Sequence, residues 1–222
     1  MSGRLLRRWF SPLLALGART IIRTHVSPNQ LTLAGLGLCA LSGLLIGTGR
    51  LAAAGIVLLM AGMLDALDGE LARQMAKATP FGAFVDSIAD HYGDFAVYIA
   101  LVWHGLQAAD SALVLLTVCA MFGSIIGSQI RSRAGMLGLD TKDIGLFTRA
   151  ERVIVLTIGL CSAQMVLALA VLAVGTNLSA LQRLGHVVTQ RPKLDARAGE
   201  RLAYIAWPSL IRSVRRRLHH RD

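Results

Sequence analysis

Charged and aromatic side chains are both scarce in this chain of 222 residues: 16% are Asp, Glu, Lys or Arg, and 5% are Phe, Trp or Tyr. The net charge of +10 would point to nucleic acid in a soluble protein. So few aromatics, beside long apolar runs with no use in a soluble fold, argue against that partner. Cysteine is rarer still. Cys39, Cys119 and Cys161 each sit inside an apolar run, without CxxC or metal-ligand spacing, which excludes a disulfide framework or a zinc site and leaves them as small apolar fillers. What the chain does have is hydrophobicity, 54% of residues and a mean hydropathy of +0.56. That is the composition of a protein that lives in a bilayer.

A transmembrane helix needs about 20 mostly apolar residues. Windows of that kind run approximately over 29–48, 51–71, 82–106, 111–133, 152–167 and 168–188. The chain is therefore expected to be an all-α integral membrane protein of six transmembrane helices. The last boundary is weak, because Ser162 and Gln164 are the only polar interruptions between 153 and 175; a five-span alternative stays open. Six spans put both termini on one face, and 22 of the 23 Lys and Arg then share it, Arg50 being the exception. The positive-inside rule makes that face cytoplasmic and the protein a multi-pass component of the cell's inner membrane.

Three regions follow. Residues 1–28 read as a cytoplasmic juxtamembrane amphipathic helix, with Arg heads at the phosphates and Trp9, Phe10 and Leu13 dipping inward, rather than as a cleaved signal peptide. Residues 29–190 form the six-helix domain. Residues 191–222 are a basic cytoplasmic tail broken by Pro208, in which His219 and His220 read as a solvated end.

Carboxylates inside membrane helices are expensive and mark function by default. Six of the 13 acids lie between positions 65 and 94. Asp65, Asp68 and Glu70 close the second span, while Asp86, Asp90 and Asp94 open the third at i, i+4, i+8, on one helix face. Counted from the intervening loop near Lys77, Asp68 and Asp86 are equally deep, and Asp65 and Asp90 nearly so. An antiparallel hairpin would bring the four together in two levels. Such a group demands protons or hard divalent cations, and oxygen-only ligation suits Mg²⁺ or Mn²⁺. Two such ions would clamp a diphosphate, and one carboxylate could serve as general base. An ion or proton pathway, or a buried acid–Arg network around Arg73, explains the same charges without chemistry.

The run Asp65-Ala-Leu-Asp68-Gly69-Glu-Leu-Ala72-Arg73, eight further residues, and Gly82-Ala-Phe-Val-Asp86-Ser-Ile-Ala-Asp90 resembles the CDP-alcohol phosphotransferase motif at all eight specified positions. The resemblance implies a six-helix membrane enzyme, usually a homodimer, that displaces CMP from a CDP-lipid such as CDP-diacylglycerol by attack of an alcohol. It makes Asp65, Asp68, Asp86 and Asp90 ligands of two Mg²⁺ or Mn²⁺ ions and Asp90 also the catalytic base. Gly69 and Arg73 would contact the CDP moiety, and Gly82 would permit close packing. The segment Ser27-Pro28-Asn29-Gln30-Leu31-Thr32 is similar to the start of the first helix that holds the CDP-lipid in this family, and Thr79 to a further nucleotide contact. For Asn29 and Thr32 an N-cap and a helix-start hydroxyl are equally good readings.

Arg131 and Arg133, with Arg149 and Arg152 in the run Gly145 to Arg152, are similar to the basic segment of the branch that makes phosphatidylinositol phosphate and its archaeal counterpart. A phosphorylated acceptor needs its own cationic seat, although each of these arginines also reads as membrane-anchoring charge. Ala150 stands where many relatives carry Pro, and His91 where many carry Arg. Inositol phosphate is the favoured acceptor and glycerol 3-phosphate the next, with serine or another amino alcohol behind them. Outside the motif, His91 reads as a helix-surface residue, and Asp94 as one that orients a neighbour. The Gly123 to Gly127 spacing is a small-residue face for packing within or between subunits.

Overall fold

The computed structural model describes residues 27–74, 79–141 and 144–190, with the side chains of residues 72 and 73 also left aside. The expected surface helix, the basic tail and the Arg73 side chain thus lie outside the described residues. Six helices and no strand are found among those described: α1 (Pro28–Gly47), α2 (Leu51–Gln74), α3 (Pro80–Gln107), α4 (Ser111–Met136), α5 (Arg149–Cys161) and α6 (Met165–Thr189).

Four of them are long and apolar enough to cross a membrane: α1, the Leu51–Leu71 part of α2, α4 and α6. The 28 residues of α3 have the length, but Asp86, Asp90 and Asp94 interrupt its apolar character. The 13 residues of α5 rise only about 20 Å, short of a hydrocarbon layer of about 30 Å. The uncertain last boundary falls at Ser162–Gln164 rather than at 167/168. There Ala163 adopts a left-handed φ of 57° and the Ser162 hydroxyl bonds back to Ile158 O at 2.6 Å. The two polar residues thus end one helix and start another.

Neighbours follow a closed ring in the order α1, α2, α5, α6, α4, α3 and back to α1. The expected α2–α3 hairpin is therefore not formed. Both helices instead lean on α1 and make no extended contact with each other.

Bilayer lipid is as apolar as leucine, so helices associate there through close backbone approach and interhelical hydrogen bonds. Small residues sit at the ring's joints. A Cβ on Gly43 would lie 2.9 Å from Ala96 O across α1–α3, and one on Gly62 would meet Val153 Cγ1 at 2.9 Å across α2–α5. Across α1–α2, Ser42 donates to Ala54 O at 2.9 Å. Gly123 and Gly127 face Thr176, Asn177 and Arg183 of α6, so this small-residue face is spent within the subunit. One end of the ring is filled by an apolar core that includes Ile46, Leu58, Leu101, Leu160 and Leu169. The other end carries the start of α1, the end of α2, the starts of α3 and α5, and the ends of α4 and α6.

Candidate active site

The acids arrive on α2 and α3, and α1 holds them at the same level. Ser27 caps α1, accepting from Gln30 N while the Gln30 amide accepts from Ser27 N at 2.8 Å, and Pro28 occupies the first turn. Asn29 is thus not the cap, and Gln30 is engaged in it. Leu31 is buried. Thr32 points inward and donates to Asp68 Oδ2 at 2.6 Å, so its hydroxyl does more than start a helix. Thr79 caps α3 by accepting from Gly82 N at 3.0 Å. The expected packing at Gly82 is local: a Cβ there would meet Thr79 Oγ1 at 3.1 Å and Asn29 Oδ1 at 3.8 Å. Asn29 and Thr79, though far apart in the chain, are thereby neighbours. Gly69 is half-buried on α2 beside Asp68.

Asp65, Asp68 and Asp86 each place a carboxylate oxygen within 4.8 Å of the other two. Asp68 is 4% exposed, and Asp86 Oδ1 is buried without any hydrogen-bond partner. Three facing carboxylates with an orphaned oxygen are unstable as anions unless a cation sits among them. An all-oxygen set is the one hard divalent ions prefer. The residues present therefore fit a Mg²⁺ or Mn²⁺ site.

Asp90, expected in the same set, does not join this group. Its carboxylate Oδ1 lies 2.7 Å from Arg149 Nη1, which is also 2.6 Å from Asp65 Oδ1. Asp94 takes Arg152 Nη2 at 2.7 Å and Arg149 Nε at 3.5 Å, the orienting role expected for it. The guanidiniums come from α5, whose start is fixed by Thr148 N donating to Glu151 Oε2 at 2.5 Å. His91 bonds its own helix at Ser87 O.

Beside the acids lies a cavity of about 190 Å³ lined by both charges, Asp86, Asp90 and Asp94 together with Arg131, Arg149, Arg152 and Arg183. Arg133 is exposed and does not line it. In its place stands Arg183, which the sequence reading missed. Only 5% exposed, Arg183 donates to Ile144 O at 2.8 Å and Gly127 O at 2.9 Å. Nearby, Ser179 Oγ accepts from Leu146 N and Phe147 N, both at 2.9 Å, and Gly145, at φ 107°, brings the backbone against Arg183. These contacts tie the connection before α5 down onto α6. The rule applied to intramembrane acids, extended to a lone cation in an apolar run, would have found Arg183.

Comparison with known proteins fits this arrangement. The family model for CDP-alcohol phosphatidyltransferase matches residues 25–181. The chain belongs to the CDP-alcohol phosphatidyltransferase family. It is 32% identical over 204 residues to the phosphatidylinositol phosphate synthase of Mycobacteroides abscessus, covering 88% of this chain and 92% of that one. It is 34% identical over 140 residues to the archaetidylinositol phosphate synthase of Pyrococcus horikoshii, covering 63% and 72%. Among solved structures, Mycobacterium tuberculosis phosphatidylinositol phosphate synthase with CDP-DAG bound superposes with a TM-score of 0.70 at 29% identity, covering 78% of this chain and 92% of that one. The same enzyme with manganese and citrate gives 0.71 at 29% identity, covering 79% and 89%. Membership makes this chain a membrane phosphatidyltransferase, as its motif implied.

Proposed function

We propose that this member of the family transfers the phosphatidyl group of CDP-diacylglycerol to a hydroxyl of inositol phosphate and releases CMP. The observation that carries the reading is that carboxylates and a cluster of arginines line one cavity beside the acidic group. A phosphorylated alcohol satisfies both charges at once, its phosphate against the guanidiniums and its hydroxyl toward Asp90. The names of the relatives favour inositol phosphate over glycerol 3-phosphate.

In this reading Asp65, Asp68 and Asp86 hold divalent cations, Mg²⁺ or Mn²⁺, two per site with Asp90 as a further ligand. Bound there, the ions would neutralise the diphosphate and make its phosphorus electrophilic. Asp90 takes the proton from the acceptor hydroxyl, whose oxygen forms the new bond to the lipid-linked phosphorus as the bond to CMP breaks. Arg131, Arg152 and Arg183 seat the acceptor phosphate. Asn29, Gln30, Leu31, Gly69, Arg73 and Thr79 hold the CDP-lipid, and Thr32 acts beside them through Asp68. All six helices lie in the inner membrane as a homodimer, with the acidic end of the ring and both termini cytoplasmic, as the charge distribution favours.

The test is CMP release by purified protein given radiolabelled CDP-diacylglycerol, Mg²⁺ and one acceptor at a time. Turnover with inositol 1-phosphate at least about ten times that with glycerol 3-phosphate is expected. A reversed preference would replace the acceptor, and CMP release that needs no acceptor would refute transfer altogether.

A further inference from the structure

Arg149 opens α5 with its guanidinium in contact with three carboxylates from two other helices. Its Nη1 alone serves Asp65 and Asp90, at 2.6 and 2.7 Å. Neither contact has the alignment of a hydrogen bond, since Nη1 is buried without a hydrogen-bond partner. Toward Asp65 and Asp90 the arginine is held by charge, and its hydrogen bond runs instead from Nε to Asp94 Oδ1 at 3.5 Å. The two acids it bridges are needed elsewhere in the proposed reaction, Asp65 for a divalent ion and Asp90 for an ion and a proton. A guanidinium keeps its protons at any working pH. While Arg149 stays, it competes with any other cation for the same oxygens.

The surroundings show where Arg149 can go. It lines the about 190 Å³ cavity together with Arg131, Arg152 and Arg183. Asp94, its third partner, is also held by Arg152 at 2.7 Å and does not depend on Arg149. A phosphate monoester in that cavity carries about 1.5 to 2 negative charges and three acceptor oxygens, and it offers the planar fork a bidentate seat that the splayed carboxylates do not.

We propose that Arg149 is a resident counter-cation of Asp65 and Asp90, drawn off them by the acceptor's phosphate, so that acceptor binding strengthens divalent-cation binding at the same carboxylates. The proposal rests on the reading of these acids as metal ligands and of the cavity as the acceptor's seat. By linkage the effect is reciprocal, cations tightening the acceptor by the same factor. The enzyme would thus assemble its full charge complement only when the alcohol is present.

The experiment is a Mn²⁺ titration of the full-length protein in detergent or nanodiscs, read by the electron paramagnetic resonance of free Mn²⁺ or by calorimetry, without CDP-lipid. It is run alone, with saturating inositol 1-phosphate, and with myo-inositol as the phosphate-free control. Inositol 1-phosphate is expected to tighten Mn²⁺ binding by about five-fold or more, the lower bound of ordinary coupling, and myo-inositol to leave it unchanged. Arg149→Gln should bind Mn²⁺ more tightly than the native protein before any acceptor is added, and should no longer respond to it. Native affinity indifferent to inositol 1-phosphate overturns the proposal by itself, whether or not the variant folds. So does equal tightening by myo-inositol, or weaker Mn²⁺ binding in Arg149→Gln. Mn²⁺ binding that Asp68→Asn abolishes, yet that ignores the phosphate ester, sinks this proposal and spares the metal reading. A native protein that binds no Mn²⁺ under any condition sinks both.

Discussion

Replacing Thr32 by Val removes one hydroxyl and almost no volume, at a point where α1 touches the candidate metal site. The hydroxyl donates to Asp68 Oδ2 at 2.6 Å across two helices, and both residues are buried. A hydrogen bond to a charged group contributes about 1.5–3 kcal/mol, or roughly 10- to 150-fold at about 1.4 kcal/mol per decade. Loss of a donor leaves the Asp68 carboxylate less well neutralised, which by itself would strengthen its hold on a cation. It also frees the carboxylate to rotate, and loss of such an orienting partner typically weakens metal binding by about 10- to 100-fold. The orientation effect is expected to win, because Asp68 must converge with Asp65 and Asp86 within 4.8 Å. Mn²⁺ affinity and CMP release should fall together in Thr32→Val, with Thr32→Ser restoring both and the KM for CDP-lipid little changed. Unaltered Mn²⁺ affinity in a folded Thr32→Val protein would refute the orienting role, and a rise confined to the CDP-lipid KM would return Thr32 to the nucleotide-lipid contacts.

Asp86→Asn should abolish CMP release, by about 10³-fold or more if the site stabilises the developing charge as such sites do, while the protein remains folded by circular dichroism. Removing divalent cations with a chelator should stop CMP release, and Mg²⁺ or Mn²⁺ added in excess should restore it. Arg183→Met strips the donors from Ile144 O and Gly127 O; a raised KM for the acceptor phosphate is expected, together with about 1–3 kcal/mol of lost stability. Gly123→Leu would set a Cβ 2.7 Å from the backbone nitrogen of Asn177, which cannot rotate away. Destabilisation by about 1–3 kcal/mol is expected, and because that face lies inside one subunit the fall in melting temperature should not depend on protein concentration.

The carboxylates were legible because burying charge in an apolar run needs a reason, and Asp65, Asp68 and Asp86 lie together as their spacing along α2 and α3 suggested. What the spacing did not reveal was the means. Counting from the loop assumes that adjacent spans pack as a hairpin, whereas α1 stands between these two, and only tertiary packing decides that. Arg149 was read as a seat for the acceptor's phosphate; its pairing with Asp65 and Asp90 joins residues more than 50 positions apart and leaves no local pattern. The end of α5 was misplaced because apolar residues continue on both sides of Ser162 and Gln164, so the turn is carried by backbone conformation at Ala163. Thr79 and Gln30 show the converse: beside the ligand contact proposed for them, both cap helices in the structure, a role their positions before or within a helix's first turn would have suggested.

The stapling of residues 144–147 to α6 through Ser179 and Arg183 divides the molecule's labour. In the proposed reading the chemistry rides on α2 and α3, while the chamber for the alcohol is lined in part by a short connector, through Phe147 and Thr148, resting on a helix that supplies none of the motif's acids. On that reading, changes in the connector would reshape the chamber and leave the acids in register, so that one bundle would accommodate different alcohols while keeping the same engine.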